Sequence, residues 1–385
     1  MHIGIISSEY PPDIGGVETY AAEFAKALLI LGHQVSVFVH KNHPIDTQLN
    51  SGIKIYSVLE FTRQLDRHYL MGVEVDAWHV MNAAHSWLTL ETDKPVVVSI
   101  HGNDFLNPYP LSAKLTLSNY AALWRIAKYT IPFEQWLGRK LTKTMLHKAL
   151  PKAHVILSNS AYTETVFLQE FPECKGKTLV AQVGVGESFL SPPLVNKNNK
   201  VIQLLTVSRL SEPRKNVDRV LHALATLASE FEFHYSVIGD GFYKPELETL
   251  TKQLGLSDRV TFSGRLTMEQ VIKKMAQADL FILPSSTLAD SHEGFGIVYL
   301  EAAACGTPSL ATHQAGAIEA VEKGQSGFFV NDPSIENIQH ALKTFLAHEI
   351  AFDQQACRDF ASRFTWQKVV AHALPFYSSH MSNEK

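Results

Sequence analysis

The chain has 385 residues, of which 45% are hydrophobic and 19% charged, and its formal net charge is −4. This length predicts two domains, each large enough to bury a core, and the acidic balance argues against a surface built for nucleic acid. The three cysteines, Cys174, Cys305 and Cys357, are far apart and odd in number. They predict no disulfide framework and a reducing, cytoplasmic environment.

The first residues of the sequence predict neither a signal peptide nor a membrane span. Residues 1–6, MHIGII, lead directly into an apparent core strand, without the basic region and apolar run of a signal peptide. Nowhere does an apolar run approach the ~20 residues that cross a bilayer. We therefore expect a protein that is soluble or peripheral to a membrane.

Strands and helices alternate through the first half of the chain. Residues 3–6 predict a buried strand, and apolar residues at helical spacing predict a helix over about 17–31. Gly32 suits the position just after the helix end, and residues 34–39 resume as a strand. This alternation is typical of a parallel sheet with right-handed crossovers.

The same pattern begins again in the second half. Residues 201–207 predict a strand, and the apolar spacing over 217–227 predicts a helix. Between the halves lies a stretch rich in Gly, Pro and Asn, 184–200, which is typical of a linker. We predict an α/β protein of two Rossmann-like domains, residues 1–190 and 191–363, that face each other across a ligand-binding cleft.

Several common motifs fail when their spacing is checked. The G-D-G at 239–241 lacks the third glycine of a dinucleotide fingerprint, and the G-K-T at 176–178 lacks the earlier glycine of a P-loop, where Phe171 stands. The sequence has no H-E-x-x-H, paired C-x-x-C or G-x-S-x-G. It therefore argues against a nicotinamide dehydrogenase, a nucleoside triphosphatase and a serine hydrolase, and it predicts no metal site.

The most informative stretch is SHEGFGIVYLEA, residues 291–302. Its turn, Gly294-Phe295-Gly296, leads into a predicted helix that ends at about residue 304. The first N–H groups of such a helix lack intrahelical partners and favour a phosphate. Small residues let that anion approach the main chain closely.

Two carboxylates bracket this helix start. Glu293 lies just ahead of it and Glu301 lies on its second turn, so both can accept hydrogen bonds from ligand hydroxyl groups. A ligand with hydroxyls on both sides of its phosphates is a nucleotide-sugar. The alternative is an ordinary helix N-terminus with an acidic first turn.

Basic residues and glycines occur at other strand ends. Arg209 and Lys215 flank the loop after the first strand of the second half, where cations can neutralise a diphosphate leaving group. The alternative is a solvated loop with three basic residues. In the first half, Gly15 and Gly16 precede a helix and offer backbone donors, and His101 follows a strand whose end faces the cleft.

In this order and spacing, the motifs resemble those of the GT-B glycosyltransferases, specifically the retaining family 4. The resemblance extends over essentially the full length. It rests on the glycine-rich loop 11–18, the H-G at 101–102, the S-R-L at 208–210 with K-N at 215–216, V-I-G-D-G at 237–241, and the E-x7-E from 293 to 301 continued by A-A-A-C-G-T-P.

The resemblance implies retaining transfer of a hexose from a nucleotide-sugar, without an obligatory metal or a separate cofactor. Glu293 would hold hydroxyls of the donor sugar and Glu301 those of the ribose. Arg209 and Lys215 would bind the diphosphate, and His101 would contact the sugar near the reacting centre. Front-face transfer needs no protein nucleophile, because the departing phosphate takes the acceptor's proton. Glu293→Ala is expected to abolish transfer and leave the fold intact.

Two segments of the sequence differ from the family pattern, and the resemblance also implies further contacts to the donor. The loop 285–292 is longer than the shortest family versions, and R-K-N at 214–216 replaces the commoner Lys-Gly; both bear on donor fit. A last helix over 364–385 would return to the N-terminal domain and tether the two halves. Backbone contacts to phosphate or sugar would come from Gly15, Gly16, Gly294, Phe295 and Gly296.

Acceptors in this fold dock on the N-terminal domain, where the segment 112–152 is unusual. It carries eight basic residues and one acid, Glu134, with aromatic and aliphatic residues between them. Such a helical stretch predicts peripheral contact with an anionic membrane and a lipid-linked acceptor. The alternative is a pair of core helices with solvated basic faces.

Two other functions suit the same architecture. A nucleotide-sugar 2-epimerase would release an isomeric nucleotide-sugar, and a non-catalytic binder would show no turnover. The motifs leave the base, the sugar, the acceptor and the linkage undefined. The family implies a role in cell-envelope or exopolysaccharide synthesis at the inner face of the membrane.

Overall fold

The computed structural model describes residues 1–11, 15–44, 52–108, 127–193 and 201–378. Contacts between residues divide the chain into two units, of which the first is Met1–Gln182 with Trp366–Lys385 and the second is Val183–Thr365. The sequence placed the boundary after residue 190 and the return to the first unit at residue 364.

The first unit is built on a sheet of seven parallel strands in the order β3-β2-β1-β4-β5-β6-β7. The strands described are β1 (His2–Ile6), β2 (Gln34–His40), β3 (Lys54–Leu59), β4 (Ala77–Val80), β5 (Val96–Ile100), β6 (Val155–Ser158) and β7 (Thr178–Val180). The α-helices described are α1 (Gly16–Ile30), α2 (Arg63–Leu70), α3 (Asn103–Leu106), α4 (Ala127–Ala149), α5 (Ala161–Glu170) and, from the end of the chain, α13 (Trp366–Ala373).

Helix α1 shows how local sequence forms this unit. Tyr20, Phe24 and Leu28 recur at helical spacing and are buried, because one face of the helix packs against the sheet. Beyond its end, Gly32 takes a left-handed φ of 83°, and its N–H donates to the Leu29 carbonyl oxygen at 2.9 Å. The strand, helix and glycine predicted for this region are confirmed.

The second unit has a sheet of six parallel strands in the order β10-β9-β8-β11-β12-β13. The strands described are β8 (Ile202–Val207), β9 (Phe233–Ile238), β10 (Val260–Gly264), β11 (Leu280–Leu283), β12 (Ser309–Thr312) and β13 (Gly327–Val330). The helices described are α6 (Val217–Leu227), α7 (Lys244–Gln253), α8 (Met268–Gln277), α9 (Ile297–Ala304), α10 (Ala317–Ala320), α11 (Ile335–Leu346) and α12 (Gln354–Ala361).

In each sheet the direction of strand addition reverses once, between β1 and β4 and between β8 and β11. Ligands of doubly wound sheets bind at the carboxyl ends of the strands, beside such a reversal. The predicted α/β architecture with two Rossmann-like sheets is confirmed. Within the described ranges, no helix is both long and apolar enough to cross a membrane.

Candidate active site

Lys215 and Glu293 form an ion pair at the carboxyl edge of the second sheet. The Lys215 Nζ lies 2.7 Å from the Glu293 Oε2, and the two side chains are 12% and 14% exposed. The residues are 78 positions apart, but they follow β8 and β11, which are neighbours in the sheet. Two residues that the sequence assigned to different parts of one ligand therefore lie in direct contact.

Arg214, to which the sequence analysis assigned no role, extends this pair into a cluster. Its side chain is 7% exposed, with Nη2 2.6 Å from the Glu212 Oε2 and Nη1 3.5 Å from the Glu293 Oε2. Ser285 Oγ also donates to that oxygen, at 3.3 Å. Of the three basic residues in this loop, only Arg209 fits the alternative of a solvated loop. Its side chain is 56% exposed, and its Nε lies 3.3 Å from the Glu212 Oε1.

The cluster keeps the Glu293 carboxylate ionised. Burial alone opposes its ionisation, but Lys215 and Arg214 outweigh burial and hold its pKa at about 2. Next to it, burial and Arg214 lower the pKa of His292 to about 4, so that imidazole is neutral at pH 7. Among the described residues, Lys215, Ser285 and Arg214 all contact Glu293 through Oε2. The other oxygen, Oε1, can accept a hydrogen bond from a ligand hydroxyl.

The helix predicted after this carboxylate is confirmed as α9. Its N-cap is Gly296 at a left-handed φ of 90°, and a Cβ on that residue would lie 2.5 Å from the Tyr299 ring, so a glycine is required. The first turn is apolar and carries no acidic residue, so Glu293 and Glu301 both lie outside it. Phe295 is 2% exposed and Glu301, on the second turn, 9%.

The turn before α9 is held in place by Gly316. Its N–H donates to the Glu293 carbonyl oxygen at 3.0 Å, and a side chain on Gly316 would collide with the Gly294 carbonyl. The position of the helix start is therefore set by a segment that follows β12, which sequence reasoning missed.

The G-D-G loop supports the segment that carries Arg209. Gly239 and Gly241 have φ of 137° and 157°, and a side chain on either would collide with the backbone of Ser208 or Leu210. The Leu210 N–H donates to the Asp240 carbonyl oxygen at 2.9 Å. The glycines thus let two loops at the sheet edge pack directly against each other.

The first unit carries the remaining predicted residues. Residues 12–14 of the glycine-rich loop lie outside the described ranges. Gly16 begins α1, and no described atom lies within 4 Å of the place that a Cβ there would take. At Gly15 the corresponding place is filled by the Glu18 carboxylate, with Oε1 2.8 Å away.

His101 follows β5, and its imidazole is neutral with one unused nitrogen. Its backbone N–H donates to the Asp104 Oδ1 at 2.8 Å, and its ring meets the Tyr20 ring edge-on at 4.5 Å. Burial lowers its pKa against the opposing effect of Asp104 and Glu9. In the described part of the chain, its Nε2 is buried without a hydrogen-bond partner. This nitrogen can exchange a hydrogen bond with a ligand.

A buried hydrogen-bond chain underlies His101. His79 Nδ1 lies 2.6 Å from the Tyr377 hydroxyl, and its Nε2 lies 2.8 Å from Ser99 Oγ. The Tyr20 hydroxyl reaches the same Ser99 oxygen at 3.2 Å. Burial, together with nearby His101, lowers the pKa of His79 to about 3. His79 is thus a neutral core histidine with both ring nitrogens hydrogen-bonded. The same hydrogen bonds hold Tyr20, whose ring contacts His101.

Tyr377→Phe is expected to destabilise the first unit by about 1–3 kcal/mol, because the buried Nδ1 of His79 loses its partner. All five tryptophans belong to this unit, so a shift of the urea midpoint followed by tryptophan fluorescence measures the effect. Tyr69→Phe, at a ring that is 40% exposed, removes the same atom at the surface and is the control. Equal midpoints for the two variants would contradict the prediction.

Two family models match the chain over nearly its whole length. The model of the Glycosyltransferase Family 4 matches residues 14–185, and the model of the Glycosyl transferases group 1 matches residues 191–363. The chain belongs to glycosyltransferase family 4. The resemblance inferred from the motifs is therefore confirmed, and with it the GT-B fold.

Two relatives of this glycosyltransferase are named for mannosyl transfer to a phosphatidylinositol monomannoside and for colanic acid biosynthesis. A GDP-mannose-dependent alpha-(1-6)-phosphatidylinositol monomannoside mannosyltransferase of Mycolicibacterium smegmatis is 26% identical, over 89% of this chain and 88% of the relative. A putative colanic acid biosynthesis glycosyltransferase, WcaL of Escherichia coli, is 31% identical over 46% of this chain and 44% of its own.

Solved structures share the fold over the full length. Sucrose-phosphate synthase from Thermosynechococcus elongatus superposes with a TM-score of 0.75 at 18% identity, covering 98% of both chains. HepE from Anabaena, in complex with UDP and glucose, has a TM-score of 0.68 at 18% identity, covering 97% of this chain and 99% of its own.

Proposed function

We propose that this glycosyltransferase moves a hexose from a nucleotide-sugar to a glycan or lipid-linked acceptor, with retention of anomeric configuration. The observation that carries the proposal is the Lys215–Glu293 pair beside the start of α9. It combines a cation suited to a diphosphate with a carboxylate suited to sugar hydroxyls, next to backbone N–H groups that favour phosphate. The second unit binds the donor and the first unit the acceptor.

Each residue of the site then has a distinct task. Lys215 and Arg209 stabilise the charge that develops on the departing diphosphate, so no metal or separate cofactor is required. Oε1 of Glu293 accepts from the donor-sugar hydroxyls, and Glu301 accepts from the ribose. The departing phosphate takes the acceptor's proton, and His101 contacts the sugar through Nε2.

The names of the relatives support the class of substrate. The mycobacterial relative is named for GDP-mannose and a phosphatidylinositol mannoside, and the enterobacterial one for colanic acid synthesis. A mannose donor with a lipid-linked mannoside and the biosynthesis of colanic acid favour a role in cell-envelope or exopolysaccharide synthesis. The alternative, a nucleotide-sugar 2-epimerase, gains no support from these relatives.

A donor panel tests the proposal. UDP-, GDP- and ADP-sugars are incubated with the enzyme, and the release of nucleotide is measured without acceptor and with simple glycosides. One donor is expected to release nucleotide, and the glycoside product is expected to keep the anomeric configuration of that donor. An isomeric nucleotide-sugar would establish the epimerase instead, and tight binding without turnover would establish a non-catalytic binder.

We propose in addition that α4 contacts an anionic membrane at its inner face. The first part of the segment 112–152, residues 112–126, lies outside the described ranges. In the described part, Leu146 and Leu150 are buried, while Trp136, Leu137 and Leu141 are 56%, 39% and 56% exposed. Leu146 and Leu150 therefore belong to the core, as the alternative interpretation predicts. The exposed apolar side chains lie among lysines, an arrangement that suits a lipid surface.

Vesicle co-sedimentation separates the two interpretations of α4. The wild type is expected to bind vesicles that contain phosphatidylglycerol and to bind purely zwitterionic vesicles less. Lys140→Glu together with Leu141→Ser is expected to reduce this binding, whereas Lys343→Glu, at a surface position of the second unit that is 50% exposed, leaves it unchanged. Absence of binding by the wild type would refute the membrane contact.

A further inference from the structure

Three rings lie in a row at the carboxyl edge of the first sheet. His40 ends β2, Phe61 follows β3, and His85 lies in the 3-10 helix Ala83–Leu90 that follows β4. The ring centroids of His40 and Phe61 are 5.1 Å apart, and those of Phe61 and His85 are 5.2 Å apart. We call these three residues the ring row. It lies at the edge of the sheet where ligands of this architecture bind.

The backbone of Phe61 is strained. Its φ of 54° is in the left-handed region, where a bulky side chain is a genuine outlier. The ring is half-buried and packs against the core of the unit. Glycine or asparagine would suit this backbone better, and strain of this kind concentrates at ligand-binding positions. The chain keeps a phenyl ring where the local backbone disfavours one.

His85 provides a second, independent sign of a ligand. It is 1% exposed, and within the described ranges its Nδ1 is buried without a hydrogen-bond partner. Buried polar atoms in folded proteins nearly always have a partner. Burial lowers the pKa of His85 to about 4, so the imidazole is neutral and can exchange one hydrogen bond with a hydroxyl group.

One carboxylate ties the ring row to His101. Asp104 Oδ2 accepts from the Ala83 N–H at 2.9 Å, and Asp104 Oδ1 accepts from the His101 N–H at 2.8 Å. The segment that carries His85 and the histidine proposed to contact the donor sugar are therefore fixed relative to each other. A ligand on the ring row would lie in the same part of the unit as His101.

The surroundings favour an uncharged ligand. Lys41 and Glu60, next to His40 and Phe61 in sequence, pair with each other at 2.6 Å. A half-buried ring near a buried polar atom that lacks a partner suits a ligand with one apolar face and hydroxyl groups at its rim. We propose that the ring row is the subsite for the sugar ring of the acceptor. This assignment rests on the proposed function.

Two variants of Phe61 test the assignment. Phe61→Asn removes the ring and suits the left-handed backbone, whereas Phe61→Tyr keeps the ring. Saturation-transfer NMR with methyl and octyl glycosides of glucose, galactose and mannose measures sugar binding directly. With the donor from the panel, the ratio of transfer to donor hydrolysis is measured for the same variants. Tyr69→Asn, on α2 and 40% exposed, is the matched control.

The wild type is expected to transfer saturation to the ring protons of at least one methyl glycoside. Phe61→Asn is expected to lower that signal and the transfer-to-hydrolysis ratio by about tenfold, the equivalent of a strong aromatic contact. Phe61→Tyr and Tyr69→Asn are expected to retain both. Binding of octyl but not methyl glycosides, or equal values for the two Phe61 variants, would overturn the subsite. Sugar binding without any donor turnover would instead refute the proposed function and leave the ring row as a sugar-binding site that is not an acceptor subsite.

Discussion

Glu293→Gln is expected to lower kcat by at least about a hundredfold, the usual effect of removing a group that acts on the transition state. The amide keeps the shape of the side chain but loses the charge that Lys215 and Arg214 surround. Nucleotide release from the active donor, with and without acceptor, measures the effect. Glu230→Gln, at a side chain that is 50% exposed, is the matched control. Turnover close to that of the wild type would refute the role of Glu293 in binding the donor sugar.

The ion cluster changes what is expected of the alanine variant. Glu293→Ala leaves the buried ammonium of Lys215 without its carboxylate, and breaking a buried pair in this way costs about 3 kcal/mol or more. The sequence alone suggested that the fold would stay intact; the structure predicts loss of stability as well as activity. Thermal unfolding of the alanine and glutamine variants separates the two effects.

The same cluster predicts how stability depends on pH. The pKa of Glu293 is about 2 in the folded chain, below its ordinary value of 4.5. A carboxyl group with a depressed pKa stabilises the fold above its unfolded pKa and loses that contribution as the pH falls toward the folded one. Between pH 4.5 and pH 2, the wild type should therefore lose more stability than Glu293→Gln does.

Lys215→Gln is the change with the second largest expected effect. It removes the cation that contacts Glu293 and is proposed to bind the diphosphate, so kcat should fall by about a hundredfold or more. Because Lys215 helps to hold the pKa of Glu293 down, the acid limb of the pH–rate profile should move to higher pH. A decrease in kcat without a shift of the acid limb would contradict the pairing.

Two further variants make the Lys215 test specific. Lys215→Arg keeps the charge but changes its geometry, and an intermediate rate is expected. Lys343→Gln removes a lysine from a surface pair with Glu230 and should leave kcat and the pH profile as they are. A surface lysine with the same effect as Lys215 would point to a general electrostatic cause.

Local features of the fold were predictable from the sequence because their causes are local. The strands at 3–6 and 201–207 and the helices at 17–31 and 217–227 follow from apolar periodicity, which is a property of neighbouring residues. The start of α9 is also legible, since glycines flank an apolar helix. The family could be inferred for the same reason, because its motifs are short and occur in a fixed order.

What the sequence could not provide were contacts between distant segments. Lys215 meets Glu293 because β8 lies next to β11, and strand order depends on how crossovers pack rather than on any nearby residue. In the sequence, Arg214 is one more basic residue in a polar loop. Only the folded structure buries it and brings it to Glu293. One sequence signal could have indicated Arg214. It lies next to Lys215 in the R-K-N sequence, which replaces the Lys-Gly that is commoner in the family.

The sequence by itself determined the alternation of elements, the two-unit organisation and the residue types of the proposed donor site. The tertiary structure decided which of these residues touch, which are charged and which are buried. His79 and Tyr377 show the limit most clearly, since they are 298 positions apart and bonded at 2.6 Å. Desolvation and charge pairing act through space, so the pKa values of Glu293, His79 and His85 are set only once the chain has folded.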